Sequence, residues 1–193
     1  AVKLIPEIVG AYQVAPRVFG DKRGFFQEIF NTNKYPQVVD SLQGPHNAPI
    51  MRQFSCSRSC QNTIRGMHCA PYGKLVQCTA GSIFDVLVDL RLASPTYGKW
   101  FGIWLRSSEH TQLYIPARCG HGFFAAEDNS VLTYCQEGTY TPGADVELNP
   151  MDPSVGIKWP EPIAPSGSDG KASYVISDKD SNAKFLEQLQ PRL

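Results

Sequence analysis

Ser82-Ile83-Phe84-Asp85-Val86-Leu87-Val88-Asp89-Leu90 decides the fold class of this chain. Strand side chains alternate between two faces, so Phe84, Val86, Val88 and Leu90 form one wholly apolar face. The other face reads Ile83, Asp85, Leu87, Asp89. The next residues, Ala93-Ser94-Pro95-Thr96-Tyr97-Gly98, have turn chemistry. Short apolar segments continue on the far side: Trp100 to Leu105, Gln112 to Ile115, Gly122 to Ala126 and Val131 to Cys135. Turn signals recur about every ten residues, as in a sandwich or barrel, and the chain's 16 glycines and 15 prolines favour strands over helices. The expectation is one mostly-β domain over residues 1–193, with no internal repeat and no linker. Short helices are expected over 33–42 and over 181–189, where Phe185, Leu186 and Leu189 share a helical face. The Pro/Gly/Ser-rich run 160–170 reads as a mobile loop.

A length of 193 residues suits one domain with a substantial core. With 18 basic and 18 acidic residues the formal charge is zero, which gives no electrostatic footprint for nucleic acid or an acidic membrane. No run approaches membrane-spanning length, and no N-terminal segment reads as a signal peptide. The six cysteines (56, 60, 69, 78, 119, 135) form no C-x-x-C pair and no zinc-ribbon spacing. Free thiols in a reducing cytoplasm are the expectation, with a Cys56–Cys60 disulfide left open.

The chemistry-bearing residues begin with Arg65-Gly66-Met67-His68 and Lys74. A guanidinium forks onto phosphate, a neutral imidazole takes a proton near pH 7, and an ammonium stabilises a developing anion. His121, Tyr134, Tyr140 and Lys179-Asp180 follow downstream. Each also has a plain structural reading. A lone histidine at a strand end can be half-buried and satisfied, and Tyr134, which shares strand parity with Leu132, can be a core aromatic. Asp180 can be a helix N-cap, and Arg23 a solvated charge in the turn Asp21-Lys22-Arg23-Gly24.

Three chemistries compete for these residues. A metal-binding cupin needs H-x-H, a Glu and a later His; here Ala70 fills the second position, and two histidines fall short of the usual three or four ligands. A nucleophilic triad lacks its G-x-S-x-G elbow, and Cys69 points to the opposite strand face from His68. The third is acid/base chemistry with His68 as base and a phenol as acid.

The motifs then take on a specific order. Gly20-Asp21-Lys22-Arg23-Gly24-Phe25-Phe26-Gln27-Glu28 is followed by Arg65-Gly66-Met67-His68, Lys74-Leu75-Val76, Asp85 to Arg91 and Ser94-Pro95-Thr96-Tyr97-Gly98. Gln112 to Pro116, His121-Gly122-Phe123, Tyr134, Tyr140-Thr141-Pro142, Ile157 to Pro160 and Ser177-Asp178-Lys179-Asp180 complete it. From Gly20 to Asp180 the chain resembles the dTDP-4-dehydrorhamnose 3,5-epimerase family.

The resemblance implies a cupin-type jelly roll, or double-stranded β-helix barrel, with short helices at its ends. It also implies a homodimer with neither metal nor organic cofactor. It casts His68 as base with Asp180 as its dyad partner, Tyr134 as acid, Lys74 as the cation beside the enolate, and His121 as a nearby hydrogen-bonding group. Arg65 and Lys179 would hold the diphosphate and sugar. Gln53 and Tyr140 would contact the nucleotide, the tyrosine by stacking, and Arg23 and Glu28 would reach it from the neighbouring subunit. Ser55 stands where the family usually has Asn, Asp145 where it often has Glu, and the loop Cys69-Ala70-Pro71-Tyr72-Gly73 is shorter than usual. The implied reaction inverts C3 and C5 of a nucleotide-linked 4-keto-6-deoxy sugar, first of all dTDP-4-dehydro-6-deoxy-D-glucose, in dTDP-rhamnose biosynthesis. The alternatives are inversion of C3 or C5 alone, a GDP- or UDP-linked sugar, or a silent cupin that only binds a sugar nucleotide.

Overall fold

The computed structural model describes residues 1–33, 39–40, 44–45, 50–164 and 172–189. The N-terminal strands are β1 (Val2–Leu4), β2 (Tyr12–Val14), β3 (Val18–Asp21), β4 (Gly24–Gln27), β5 (Val39–Asp40) and β6 (Gly44–Pro45). The central strands are β7 (Gln53–Ser59), β8 (Thr63–Cys69), β9 (Lys74–Ala80), β10 (Ser82–Asp89) and β11 (Trp100–Arg106). The last are β12 (Gln112–Ile115), β13 (Cys119–Ala125), β14 (Ser130–Gln136), β15 (Val146–Glu147) and β16 (Val175–Ile176). Two sheets face each other. One runs β1-β2-β12-β9-β14-β7; the other runs β11-β10-β13-β8-β15, with β16 attached parallel to β8.

Strand alternation sorts the side chains into three layers. Between the sheets lie Val76, Leu113 and Leu132 from one and Ile83, Leu87, Leu105 and Phe123 from the other. Each such side chain contributes about 1.5–3 kcal/mol on burial, so this layer dominates stability. The wholly apolar face of β10 (Val86, Val88, then Leu90) turns outward from the second sheet. There it packs with Met67 and Cys69 under a cover of Leu148, Val155 and Leu189. Outside the first sheet, Leu75, Tyr114 and Cys135 meet Ile29, Phe30 and Met51. Both faces of β10 are therefore buried, and Asp85 and Asp89 are interior acids at 0 % exposure. Asp89 accepts from the Arg91 guanidinium and from the hydroxyls of Ser94 and Thr96, which ties down the turn after β10.

One expected helix is corrected, and another lies mostly outside the described residues. In place of a helix over 181–189 the chain has a single turn, α1 (Asp178–Ser181), and a 3₁₀ turn at Leu186–Gln188. The backbone between them is taken by tertiary partners. Asn149 N–H donates to the Lys184 carbonyl, and the Asp152 carboxylate accepts from Leu186 N–H. A short helix gains too little from its own hydrogen bonds to outcompete such contacts. Most of the helix expected over 33–42 lies outside the described residues, while Val39–Asp40 within it form a strand paired with Gly44–Pro45. Of the loop expected over 160–170, residues 165–170 lie outside the described set. All six cysteines are free thiols. No helix among the described residues is long and apolar enough to cross a membrane.

Candidate active site

At one end of the space between the sheets the apolar interior gives way to polar groups. On β8, Met67 and Cys69 face outward, so His68 faces inward; on β9, Lys74 shares the interior parity of Val76 and Cys78. On β13, His121 lies in the interior row with Cys119 and Phe123; on β14, Tyr134 shares the interior side with Leu132. These four residues line one cavity of about 330 Å³ together with Gln53, Ser55, Ser57, Arg65, Tyr72, Gln136, Tyr140 and Asp145. His68 and Tyr134 come from opposite sheets and stand on opposite walls.

Two histidine–carboxylate pairs sit side by side. His68 and His121 are direct cross-strand partners on β8 and β13. His68 Nε2 lies 2.8 Å from Asp180 Oδ1, and the histidine side chain keeps 35 % of its surface open against 6 % for the aspartate. The imidazole can therefore meet a substrate while its carboxylate stays behind it. Burial alone pushes the Asp180 carboxyl up, but hydrogen bonds from His68, Gly66 N–H and the Ser177 hydroxyl hold it below the usual carboxylate range. Ser177, not Asp180, is the N-cap of α1; its hydroxyl accepts from Asp180 N–H and fixes the aspartate.

The motif glycines make this arrangement possible. A Cβ on Gly66 would lie 2.6 Å from Gly122 Cα, and one on Gly122 would lie 2.7 Å from the Arg65 carbonyl oxygen. Gly66 also has φ +117°, a region open to glycine. The two histidine strands approach closely here, where their register shifts between His121 and Phe123. As a result Gly66 N–H donates to Asp180 Oδ2 at 3.1 Å.

His121 Nε2 lies 2.8 Å from Asp85 Oδ1, at 4 % and 0 % side-chain exposure. Burial lowers the His121 pKa against the pull of Asp85, so the imidazole favours the neutral form. Asp85 Oδ2 has no hydrogen-bond partner among the described residues. Lys74 is 7 % exposed, and burial lowers its pKa against the attraction of Asp145 and Asp85. Its ammonium makes no side-chain hydrogen bond among the described residues and lines the cavity, so its charge is available to a bound anion. Breaking a buried charge pair costs about 3–5 kcal/mol, whereas an apolar replacement of the whole set is often neutral or stabilising. Charged groups placed here therefore mark function rather than stability.

The Tyr134 hydroxyl is 2.9 Å from Ser57 Oγ. Burial pushes its pKa up to about 12, moderated by that hydrogen bond, so the group stays a protonated phenol at ordinary pH. Tyr140, 53 % exposed, stands at the mouth, where its N–H donates to Gln53 Oε1. The short loop is braced by strand β14 and the residue that follows it: Gln136 donates to the Tyr72 hydroxyl, and the Glu137 carboxylate accepts from Gly73 N–H and the Tyr114 hydroxyl.

Three expected site residues lie elsewhere. Lys179 turns away from the cavity to pair with Glu147 at 2.5 Å, lining a separate cleft with Asn182 and Lys184. Arg23 sits in the exposed β3–β4 turn, gripped by Asp21 at 2.6 Å, and Glu28 accepts from the Asn31 amide. Asp85, Ser57, Tyr72 and Gln136 join the site although no sequence motif assigns them a role. Asp85 was detectable as an acid inside an apolar strand. Ser57 belongs to a row of polar residues (Gln53, Ser55, Ser57, Ser59) that alternates with Phe54, Cys56 and Arg58.

The family model of dTDP-4-dehydrorhamnose 3,5-epimerase matches residues 6–188. The chain belongs to that family. A dTDP-4-dehydrorhamnose 3,5-epimerase of Sinorhizobium fredii is 37% identical over 181 residues, covering 91% of this chain and 85% of the relative. Among solved structures, a Mycobacterium tuberculosis epimerase superposes with a TM-score of 0.83 at 28% identity, covering 97% of this chain and 89% of that one. A Legionella pneumophila dTDP-6-deoxy-D-glucose-3,5-epimerase, solved with dTDP-4-keto-L-rhamnose, gives 0.81 at 31% identity and covers 98% and 94%. The fold is thus the cupin-type jelly roll of these isomerases.

Proposed function

We propose that this chain inverts C3 and C5 of dTDP-4-dehydro-6-deoxy-D-glucose to give dTDP-4-dehydro-L-rhamnose, with His68 as base and Tyr134 as acid. The observation that carries the reading is the placement of an open, carboxylate-backed imidazole and a protonated phenol on opposite walls of one cavity. Inversion at carbon requires a proton to leave one face and another to arrive on the opposite face. A pure binder has no use for that pair. The Legionella relative's bound keto-sugar supports the substrate class.

In this mechanism the C4 ketone acidifies the hydrogens at C3 and C5. His68 removes one, and the C–H electron pair passes through the new C=C bond to O4. Lys74 meets the developing oxyanion with an ammonium that is already desolvated and oriented, so little reorganisation is needed. Asp180 orients the imidazole and stabilises the imidazolium. Tyr134 then delivers its proton to the other face. Arg65, whose Nε is bound by Ser59 Oγ at 3.0 Å, holds the diphosphate, and Tyr140 stacks on the base. Asp145 lines the cavity with a buried Oδ1 that has no partner among the described residues, ready to accept from a sugar hydroxyl.

The same reading makes the protein a homodimer. The β3–β4 hairpin exposes Phe19 (47%), Phe25 (62%) and Phe26 (68%), and β7 ends its sheet with Phe54 62% exposed. Large aromatic side chains left this exposed fit a protein interface. A partner's hairpin laid against it carries Arg23 and Glu28 toward the nucleotide. Free thiols fit a cytoplasmic enzyme. Proton NMR of dTDP-4-dehydro-6-deoxy-D-glucose with the enzyme in D2O tests the reaction. Exchange and inversion at both carbons are expected. Exchange at one carbon would leave a mono-epimerase, and none at all would remove the catalytic reading.

A further inference from the structure

We infer that Ser57 is the port through which Tyr134 regains its proton between the two inversions, with solvent water as the proton source. The inference rests on the epimerase reading above and concerns a step that reading leaves open. Each inversion moves one proton onto His68 and takes one from Tyr134. After the first, the site holds an imidazolium and a phenolate, the wrong protonation states for a second inversion of the same sugar. His68 has its own exit, since its ring is partly open to the cavity. Tyr134 is partly buried, and among the described residues its hydroxyl has one hydrogen-bond partner, Ser57 Oγ at 2.9 Å.

A serine hydroxyl carries one donor and two acceptor sites. It can donate to the phenolate while accepting from water, without ever becoming an alkoxide. In the reset step the Ser57 O–H bond breaks as the Tyr134 O–H bond forms, and a water proton replaces the one Ser57 gave. His68 returns its proton to water, so hydroxide and hydronium cancel and the site is restored. The water has a track. Gln53, Ser55 and Ser57 occupy successive inward positions of β7, all lining the cavity, and the row begins beside Tyr140 at the mouth. Gln53 Nε2 donates directly to Ser55 Oγ at 2.9 Å, and the remaining step from Ser55 to Ser57, inward positions roughly 6.6 Å apart along the strand, is a span that one water bridges. The phenol's raised pKa, about 12, makes its anion a strong base that takes a proton readily from such a chain.

Ser57 acts through Tyr134 and is a positioning residue. The test compares wild type, Ser57→Ala and Ser57→Thr on the 4-keto sugar nucleotide in D2O, following once-inverted and twice-inverted sugar by NMR. In Ser57→Ala the second inversion should slow more than the first. Once-inverted sugar should then leave the enzyme and rise roughly tenfold as a fraction of product, short of the 10²–10⁴ assigned to a direct acid. KM should hold while kcat falls and its solvent isotope effect grows. Ser57→Thr, which keeps the hydroxyl, should restore the wild-type product ratio. An unchanged ratio in Ser57→Ala overturns the relay, as does equal slowing of both inversions that Ser57→Thr does not rescue. If wild type inverts neither carbon, it is the epimerase reading that fails.

Discussion

His68 and His121 are cross-strand partners, and each ring is held through Nε2 by a buried carboxylate at 2.8 Å, His68 by Asp180 and His121 by Asp85. The two pairs differ in exposure. His68 opens to the cavity at 35 %, whereas His121 is enclosed at 4 %. In the proposed mechanism that difference divides the labour: the open ring would exchange protons with substrate, and the closed one would present a fixed imidazole as a hydrogen-bonding wall.

His68→Ala should abolish deuterium incorporation at C3 and C5, a loss of at least the 10²–10⁴ typical of a general base. Asp180→Asn should reduce kcat with little change in KM, since it weakens imidazolium stabilisation without touching the nucleotide. Titration with dTDP should show near-normal binding in both. Wild-type exchange in His68→Ala would mean that another group removes the proton.

Tyr134→Phe should impair inversion more than proton abstraction, because the two half-steps use different walls of the cavity. Exchange with retention is the expected signature, read as deuterium entering at a carbon whose configuration does not change. Normal inversion at both carbons would return Tyr134 to the role of a core aromatic packed against Leu132 and its neighbours.

Much of this site was readable as strand parity. Alternation alone placed Tyr134 with Leu132 and set Cys69 on the opposite face from His68, and both hold. The pattern in β10 gave the strand but not its inner face. Its wholly apolar side lies under the C-terminal segment, and the side carrying Asp85 faces the space between the sheets. Hydrophobic alternation cannot distinguish two buried faces, and the interior polar residue is the local exception that function imposes. The C-terminal segment failed differently. Leu186 and Leu189 do pack on the core as their spacing suggested, yet Phe185 stays 38% exposed, because Asn149 and Asp152 capture the backbone that a helix would need. Only the motif points Lys179 toward the substrate, and nothing in its own segment signals Glu147 as its partner.

The alkaline limb of the rate profile should belong to Lys74. Tyr134 stays protonated to about 12, so it does not set that limb. Burial lowers the Lys74 pKa, so the ammonium loses its charge at a lower pH than an ordinary lysine would. The rate should fall as pH rises through that point. Lys74→Arg keeps a charge beyond this range and should move the limb upward, at a lower maximum because the guanidinium is bulkier. A limb that stays in place in Lys74→Arg would assign it to another group.

The dimer reading predicts complementation between inactive chains. Arg23 sits in the hairpin turn and does not line its own cavity; its side chain is 83% exposed, in a hairpin with three exposed phenylalanines that a partner would cover. If the partner's Arg23 completes each site, Arg23→Ala and His68→Ala homodimers are both impaired, the first in nucleotide binding and the second in proton removal. In a mixed dimer, one site combines an intact His68 with the intact Arg23 of the other chain, while the second site carries both lesions. Mixing should therefore restore close to half of the wild-type activity per heterodimer. Subunit exchange is established first by mixing chains with distinguishable tags and recovering both on one affinity resin. Heterodimers recovered this way with no gain in activity would show that each site is built within one chain. Arg23 would then be a turn residue gripped by Asp21, with no part in nucleotide recognition.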